Sequence, residues 1–278
     1  MGIFHAKPPE LPLATMDAEG ERDPLFVGSV AKALRVLQAF READRELSLA
    51  EISDLSGLGR SAAQRFCHTL LLLGYLEKDP RSRHLRLSAR VLDLAYSFLS
   101  SNPFLAVASR FVLAAHEASG HAFNLGQPID ADMMYVVRLP SLHAAITSPL
   151  VGGRAPMYCT ASGRSYLSAL PGEESDFLIE HSTLDAITPH TMTDRGAIRA
   201  RLDVIREKGY EVANQECVMG ELTVASPVLG RGRQALGSVN LCVTTREWTI
   251  ERVEEELSPI ITQLANEISR ALGASPSA

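Results

Sequence analysis

The densest run of chemically capable residues is Val151-Gly152-Gly153-Arg154-Ala155-Pro156-Met157-Tyr158-Cys159-Thr160-Ala161-Ser162-Gly163-Arg164. A glycine-rich loop bearing a proline here passes straight into a helix whose first turn consists of small residues. N–H groups in the first turn of a helix have no intrahelical acceptor, and with nothing bulky before them they form an anion site suited to a carboxylate. A plainer reading stands beside it, in which Thr160 only caps the helix and the glycines only shape a turn. A second set is cationic and lies near the N-terminus: Arg60, Arg65, Arg81 and Arg83. Flexible cations reach phosphates, while Gln64 and Arg65 are long enough to reach base edges in a groove. Solvation of a surface is the competing role for any one of these arginines.

Catalytic constellations are not signalled. The chain has no Gly-x-Ser-x-Gly, and Ser162 stands between Ala161 and Gly163 without a sequence-evident base. His116 and His121 flank Gly120 five positions apart, which breaks the i, i+4 face of a helical zinc pair. Gly230-Arg231-Gly232 lacks a third glycine at dinucleotide-loop spacing and falls between strands. Cys67, Cys159, Cys217 and Cys242 form no CxxC, so neither a disulfide framework nor a cysteine zinc site is expected. Cys217 and Cys242 read as small packed hydrophobes. The expectation is a protein with no catalytic residue, metal or cofactor.

The whole chain has 278 residues, 46% hydrophobic and 22% charged, enough for about two domains with real cores. No apolar run approaches the roughly 20 residues of a membrane helix. Residues 1–23 lack a basic region followed by an apolar stretch, so a soluble cytoplasmic protein is expected. Charge is unevenly distributed: residues 1–23 carry −3 with three prolines, residues 24–90 carry +4, and residues 91–278 carry −7. The first stretch reads as a flexible leader. A basic module on an acidic body implies that one part alone meets a polyanion.

Periodicity supplies the elements that would hold these residues. Ser29–Phe40 places Val30, Ala33, Leu34, Leu37 and Phe40 at helical spacing. Ser48-Leu49-Ala50-Glu51 is a capping box opening a short helix that stops at Gly57. After Leu58-Gly59-Arg60 a third helix runs to Leu72, with Ser61 as its expected cap. Its apolar stripe of Ala63, Phe66, Cys67 and Leu70 turns Ser61, Ala62, Gln64, Arg65 and His68 outward. Two short helices around a glycine turn are the helix-turn-helix signature, the second helix entering a major groove. Tyr75–Lys78 and His84–Leu87 alternate around Asp79-Pro80, a hairpin with Arg81 and Arg83 at its tip, which is the wing of a winged helix. The apolar helix Ser88–Ser100 is expected to pack on a partner chain, and Asn102-Pro103 ends it.

Beyond it a helix over Phe104–Ser119 precedes strand-like runs at His121–Leu125, Met133–Leu139 and Ala144–Thr147. Helices follow at Thr160–Leu170, Glu173–His181 and Asp194–Lys208, then strands at Glu211–Asn214, Leu222–Val228 and Gln234–Val243, and a last helix at Thr249–Leu272. Interleaving of this kind predicts an α+β domain on an antiparallel sheet. The expected boundaries are a leader at 1–23, a winged helix-turn-helix at 24–87, a linker helix at 88–102 and the body at 103–278.

The winged module, the run Gly153–Arg164, and Gly209-Tyr210 followed by Glu216, Gly220 and Ala225-Ser226-Pro227-Val228 resemble the IclR family of bacterial transcriptional regulators from about Val27 to Leu272. The resemblance implies a winged helix-turn-helix that binds a double-stranded operator, a linker helix used in dimerisation, and a GAF-like C-terminal domain for a small, often carboxylic or aromatic acid, effector. It implies homodimers or tetramers that repress or activate. Arg60, Ser61, Gln64, Arg65, His68, Arg81 and Arg83 would then meet DNA. Carried over by alignment, Ala161 and Ser162 become backbone donors to the effector carboxylate, and Ala213, Thr223, Ser238 and Asn240 line the sheet side. Where the family often has acids after its Gly-Tyr, this chain has Ala213-Asn214-Gln215, so a known member's ligand does not transfer. A DNA-binding protein without ligand control, its body serving only assembly, is the alternative, and a small-molecule enzyme stands behind it.

Overall fold

The computed structural model describes residues 24–43, 45–141 and 151–274. The proposed leader and the expected strand at Ala144–Thr147 lie outside the described residues. The chain divides into two compact units, one ending at Ser100 and one beginning at Ser101.

In the first unit α1 (Gly28–Ala43) precedes α2 (Leu49–Ser56) and α3 (Arg60–Leu72), then the strands β1 (Leu76–Lys78) and β2 (Leu85–Leu87), and α4 (Val91–Ser101). The Ser48 capping box forms in full: Ser48 Oγ accepts from Glu51 N, and Glu51 Oε2 accepts from Ser48 N at 2.8 Å. Gly57 ends α2 at φ +64, a conformation in which a Cβ is strained. The cap of α3 is Gly59 and not Ser61, because the helix begins one residue earlier and leaves Ser61 within its first turn. Val36, Leu47, Ile52, Ala63, Cys67, Leu70, Leu76 and Leu85 are buried together, so one small core fixes the angle between α2 and α3. Leu47 exchanges two backbone hydrogen bonds with Leu85, adding a third short edge to the antiparallel hairpin.

The second unit opens on α5 (Pro103–Ser119), capped by Asn102 Oδ1 on the N–H groups of Phe104 and Leu105. Then come β3 (Ala122–Ile129), β4 (Asp132–Leu139), β5 (Arg154–Pro156), α6 (Ala161–Ser168), α7 (Gly172–His181), α8 (Arg195–Lys208), β6 (Glu211–Asn214), β7 (Glu221–Leu229) and β8 (Ala235–Thr244). α9 (Ile250–Arg252), a π turn at Val253–Leu257 and α10 (Ser258–Ala271) close the chain. The strands form a six-stranded antiparallel sheet in the order β5-β4-β3-β8-β7-β6. β5 falls where the sequence reads as loop, since three residues are too few to show alternation.

Strand alternation gives the sheet two unlike faces. Phe123, Leu125, Leu222, Val224, Val239 and Leu241 point to one side and build the main core with Val112 of α5 and Ile261, Leu264 and Ile268 of α10. The opposite residues are small or polar: register sets Asn124 against Asn240, Gly126 against Ser238, and Thr223 against Cys242. α6 lies on this side, and every one of its residues is buried. A helix enclosed all round tolerates only small side chains where it touches backbone. At Gly163 a Cβ would stand 2.2 Å from Met157 Cα. Gly163→Ala is therefore expected to destabilise the protein by at least about 2 kcal/mol through overpacking, read as a lower urea midpoint at unchanged slope.

Candidate functional site

On α3 Arg60, Ser61, Gln64, Arg65 and His68 are exposed, as are Thr69 and Leu72, while Ala63, Cys67 and Leu70 face inward; burial pushes the Cys67 thiol up to about 11. In the wing, Asp79 accepts hydrogen bonds from the N–H of Arg81 at 2.8 Å and of Ser82 at 2.6 Å. This turn carries Arg81 and Arg83 at its exposed tip, Arg83 at φ +60. The basic residues now separate into two groups. Arg86 is held by Glu77 at 2.9 Å and Glu46 at 3.0 Å, and Arg90 donates to Leu73 O at 2.9 Å, so both are committed to the fold. Arg60, Arg65, Arg81 and Arg83 make no ion pair with any described acid, which leaves their charge for a partner.

The second site is a cavity of about 40 Å³ between the start of α6, the polar face of the sheet and the β6–β7 turn. Thr160 Oγ1 accepts from Gly163 N at 3.0 Å and donates to Pro156 O at 2.8 Å, so the capping reading holds. That cap serves Gly163 and leaves the N–H groups of Ala161 and Ser162, the first two of the helix, outside its reach. Ala161, Ala213 and Thr223 line the cavity. Ser162, Ser238 and Asn240 do not: their side chains are buried between α6 and the sheet, each with an oxygen that has no partner among the described residues.

Two charged groups of the cavity were not singled out by sequence. Arg138 of β4 lies across from Asn124 in register, lines the cavity, and has its guanidinium 4.5 Å from the Tyr135 ring centroid. Burial lowers its pKa from the usual arginine range. Glu221, at the start of β7, also lines the cavity and accepts from Thr223 Oγ1 at 2.9 Å. Burial raises its carboxyl above the ordinary range, which reduces the negative charge facing an incoming anion. Arg138 follows Val136-Val137 in an apolar strand, where Val136 is the extra residue of a bulge, and its pairing with Asn124 sets which way it faces.

The wall itself rests on a buried charge network. Arg164 of α6 is 1% exposed and donates to Glu211 at 2.7 Å, to Tyr158 O at 3.0 Å and to both oxygens of Glu216. Arg201 bonds the second oxygen of Glu211 at 2.7 Å. Burial opposes the charge on Arg164, yet the bonds to Glu216 and the field of Glu211 outweigh it and raise its pKa. Glu216 also accepts from Met192 N at 3.0 Å, and Thr188 and Thr191 donate to the carbonyls of Gln215 and Glu216 at 2.7 Å each. The loop Thr188–Met192 thereby anchors the β6–β7 turn, although its sequence announces nothing.

A helix-turn-helix with exposed cations, attached in one chain to a sheet domain that holds a polar cavity, is the build of a DNA-binding transcriptional regulator. Residues 29–80 match the IclR helix-turn-helix domain, and residues 96–270 match the family described as bacterial transcriptional regulator IclR C-terminal. The chain belongs to the IclR family. It is 31% identical over 251 residues to the Pca regulon regulatory protein of Pseudomonas putida, covering 90% of this chain and 86% of that one. The crystal structure of an IclR transcriptional regulator from Alicyclobacillus acidocaldarius superposes with a TM-score of 0.78 at 26% identity, covering 89% of this chain and 99% of that one. An IclR homolog of Microbacterium hydrocarbonoxydans, crystallised in complex with 4-hydroxybenzoate, shares the fold with a TM-score of 0.73 at 21% identity, over 88% and 98% of the two chains. Among the described residues no single helix is long and apolar enough to cross a membrane.

Removing Arg164 would leave Glu216 buried without its cation and Glu211 with Arg201 alone. Arg164→Met is expected to cost about 3–5 kcal/mol of stability. Arg199→Met, which removes the exposed pairs with Asp176 and Glu180, is expected to leave the urea midpoint nearly unchanged.

Proposed function

We propose that this chain is a non-enzymatic, effector-responsive regulator that binds a palindromic operator as a dimer or tetramer and is controlled by a small carboxylic acid in the C-terminal cavity. One observation carries the reading: Ala161, the first residue of α6, and Arg138 line one cavity, so a helix N-terminus and a guanidinium meet at the space a carboxylate would take. The acid's oxygens accept from Ala161 N, Ser162 N and Arg138, and Thr223 and Glu221 meet its other end. At about 40 Å³ the cavity holds roughly three waters. An acid of acetate or pyruvate size enters with small adjustments, whereas an aromatic acid displaces lining side chains. The 4-hydroxybenzoate bound to the Microbacterium homolog supports the aromatic class. Ser162 is too enclosed to serve as more than a backbone donor, and Ser238 and Asn240 support the floor.

In the first unit α3 enters the major groove with Arg60, Ser61, Gln64, Arg65 and His68, and Arg81 and Arg83 reach the backbone beside it. α4 offers the dimer face: Leu92, Leu94, Tyr96, Phe98 and Leu99 are all exposed in the single chain, Tyr96 to 72%. Half-sites must lie about one helical turn or a multiple apart, so a ligand that alters the dimer through this helix changes operator affinity. The location is the cytoplasm, where the operator is.

Arg65→Ala is expected to weaken operator binding about tenfold and to relax base preference. Arg83→Ala is expected to weaken all duplexes alike and lower the salt slope by about one. Gel shifts across salt concentrations check both, and unchanged binding in the two variants contradicts the assignment. A thermal-shift screen of small aromatic and aliphatic acids identifies ligands by stabilisation of the native state. For any acid so found, Arg138→Met is expected to raise its Kd at least about tenfold, the loss of a charge-assisted bond, and to leave ligand-free operator binding intact. A body used only for assembly predicts no stabilising acid.

A further inference from the structure

Cys159 and Cys217 are 58 positions apart in sequence, yet their sulfurs stand 3.2 Å from each other. Both thiols are free, and both residues line the cavity. Cys217 Sγ also lies 3.3 Å from Cys159 O, to which its hydrogen is donated. That leaves the sulfur lone pairs of Cys217 available toward Cys159. The two belong to opposite walls: Cys159 precedes the α6 cap Thr160, and Cys217 follows Glu216 of the buried network. Cys242 is in the cavity too, but its sulfur is 3.5 Å from Thr223 Oγ1 and from Asn124 Nδ2, not beside another thiol. Among the described residues no group of three His, Cys, Asp or Glu side chains is arranged to hold a metal.

We propose that Cys159 and Cys217 are a dithiol modification site, which a hydroperoxide entering the cavity oxidises to a disulfide that ties the two walls together. Cys217 is the partly exposed member and meets the oxidant first. Its sulfur attacks one oxygen of hydrogen peroxide: an S–O bond forms, the O–O bond breaks, and the departing hydroxide leaves as water with the thiol proton. The Cys159 sulfur then attacks the sulfenic sulfur; the S–S bond forms, the S–O bond breaks, and the second hydroxide takes the Cys159 proton. Two thiols and one peroxide give one disulfide and two waters. The Cys159 hydrogen bond and burial raise the Cys217 thiol well above its usual range, so the reaction is slow at neutral pH and accelerates as pH rises. The site thus responds to an oxidant load and not to resting conditions.

The test needs no effector, so its outcome is separate from that of the carboxylate reading. The native full chain is treated with hydrogen peroxide, blocked with a maleimide, and analysed by intact mass and peptide mapping. The expected product has lost two hydrogens and two of its four thiols, is linked between Cys159 and Cys217, and reverts with dithiothreitol. Cys159→Ser and Cys217→Ser are expected to abolish the link, and Cys242→Ser to retain it. In the oxidised protein, hydrogen exchange over residues 156–163 and 215–220 is expected to slow about tenfold. A link to Cys67 or Cys242, sulfinic acid without a link, a link that forms only after denaturation, or four unreacted thiols would each overturn the proposal.

Discussion

The second unit depends on how four interlocked charges, three of them buried, are arranged. Arg164 and Arg201 offset Glu211 and Glu216, and three of the four side chains are almost wholly removed from water. Such a set is tolerable only when each charge has its partner at hydrogen-bond distance. The condition is restrictive, and it explains the packing around α6. Arg164 must stay near β6 and the β6–β7 turn together, so α6 lies flat on the sheet with Gly163 pressed against the Met157 backbone. The start of the helix then opens on the cavity, which Thr160 and Ala161 line together with the sheet's polar face.

The division of charge along the chain follows the same logic. In the first unit some arginines are committed to local acids, as Arg86 is, and others are left exposed on α3 and the wing. In the second unit Arg164 is buried and Arg199, Arg201 and Arg206 pair with neighbouring carboxylates, and the cavity holds a guanidinium and a carboxyl that burial biases toward its neutral form. The first unit therefore presents uncommitted positive charge on its surface, while the second also places a guanidinium inside a cavity. Their excess acidic and basic residues are two aspects of a single regulator of the IclR family.

What could be read from the sequence was local. The Ser48 box, the Gly57 stop, the inward stripe of α3 and the Asp79 turn each depend on residues a few positions apart, and the outward set of α3 residues follows from helical period alone. The two motifs around residues 153–164 and 209–228 were visible as a family resemblance, but the reason they occur together was not: Arg164 and Glu216 meet only after folding across 52 positions. Arg138 was hidden because its pairing with Asn124, beside a bulge, sets its direction, and Glu221 because its burial comes from neighbours in other strands. Ser238 and Asn240 lie on the expected face of β8, yet α6 covers them, and no pattern in β8 reports what covers it.

The central claim is that the cavity is a receptor for a carboxylate. Calorimetric titration of the full chain with pyruvate, benzoate and 4-hydroxybenzoate, each beside its primary amide, tests it directly. At least one acid should bind at one site per chain, at least about tenfold more tightly than its amide, since only the acid brings a negative charge to the Arg138 guanidinium and the start of α6. Equal affinity for acid and amide, or no saturable heat from any of the three acids, would contradict the account.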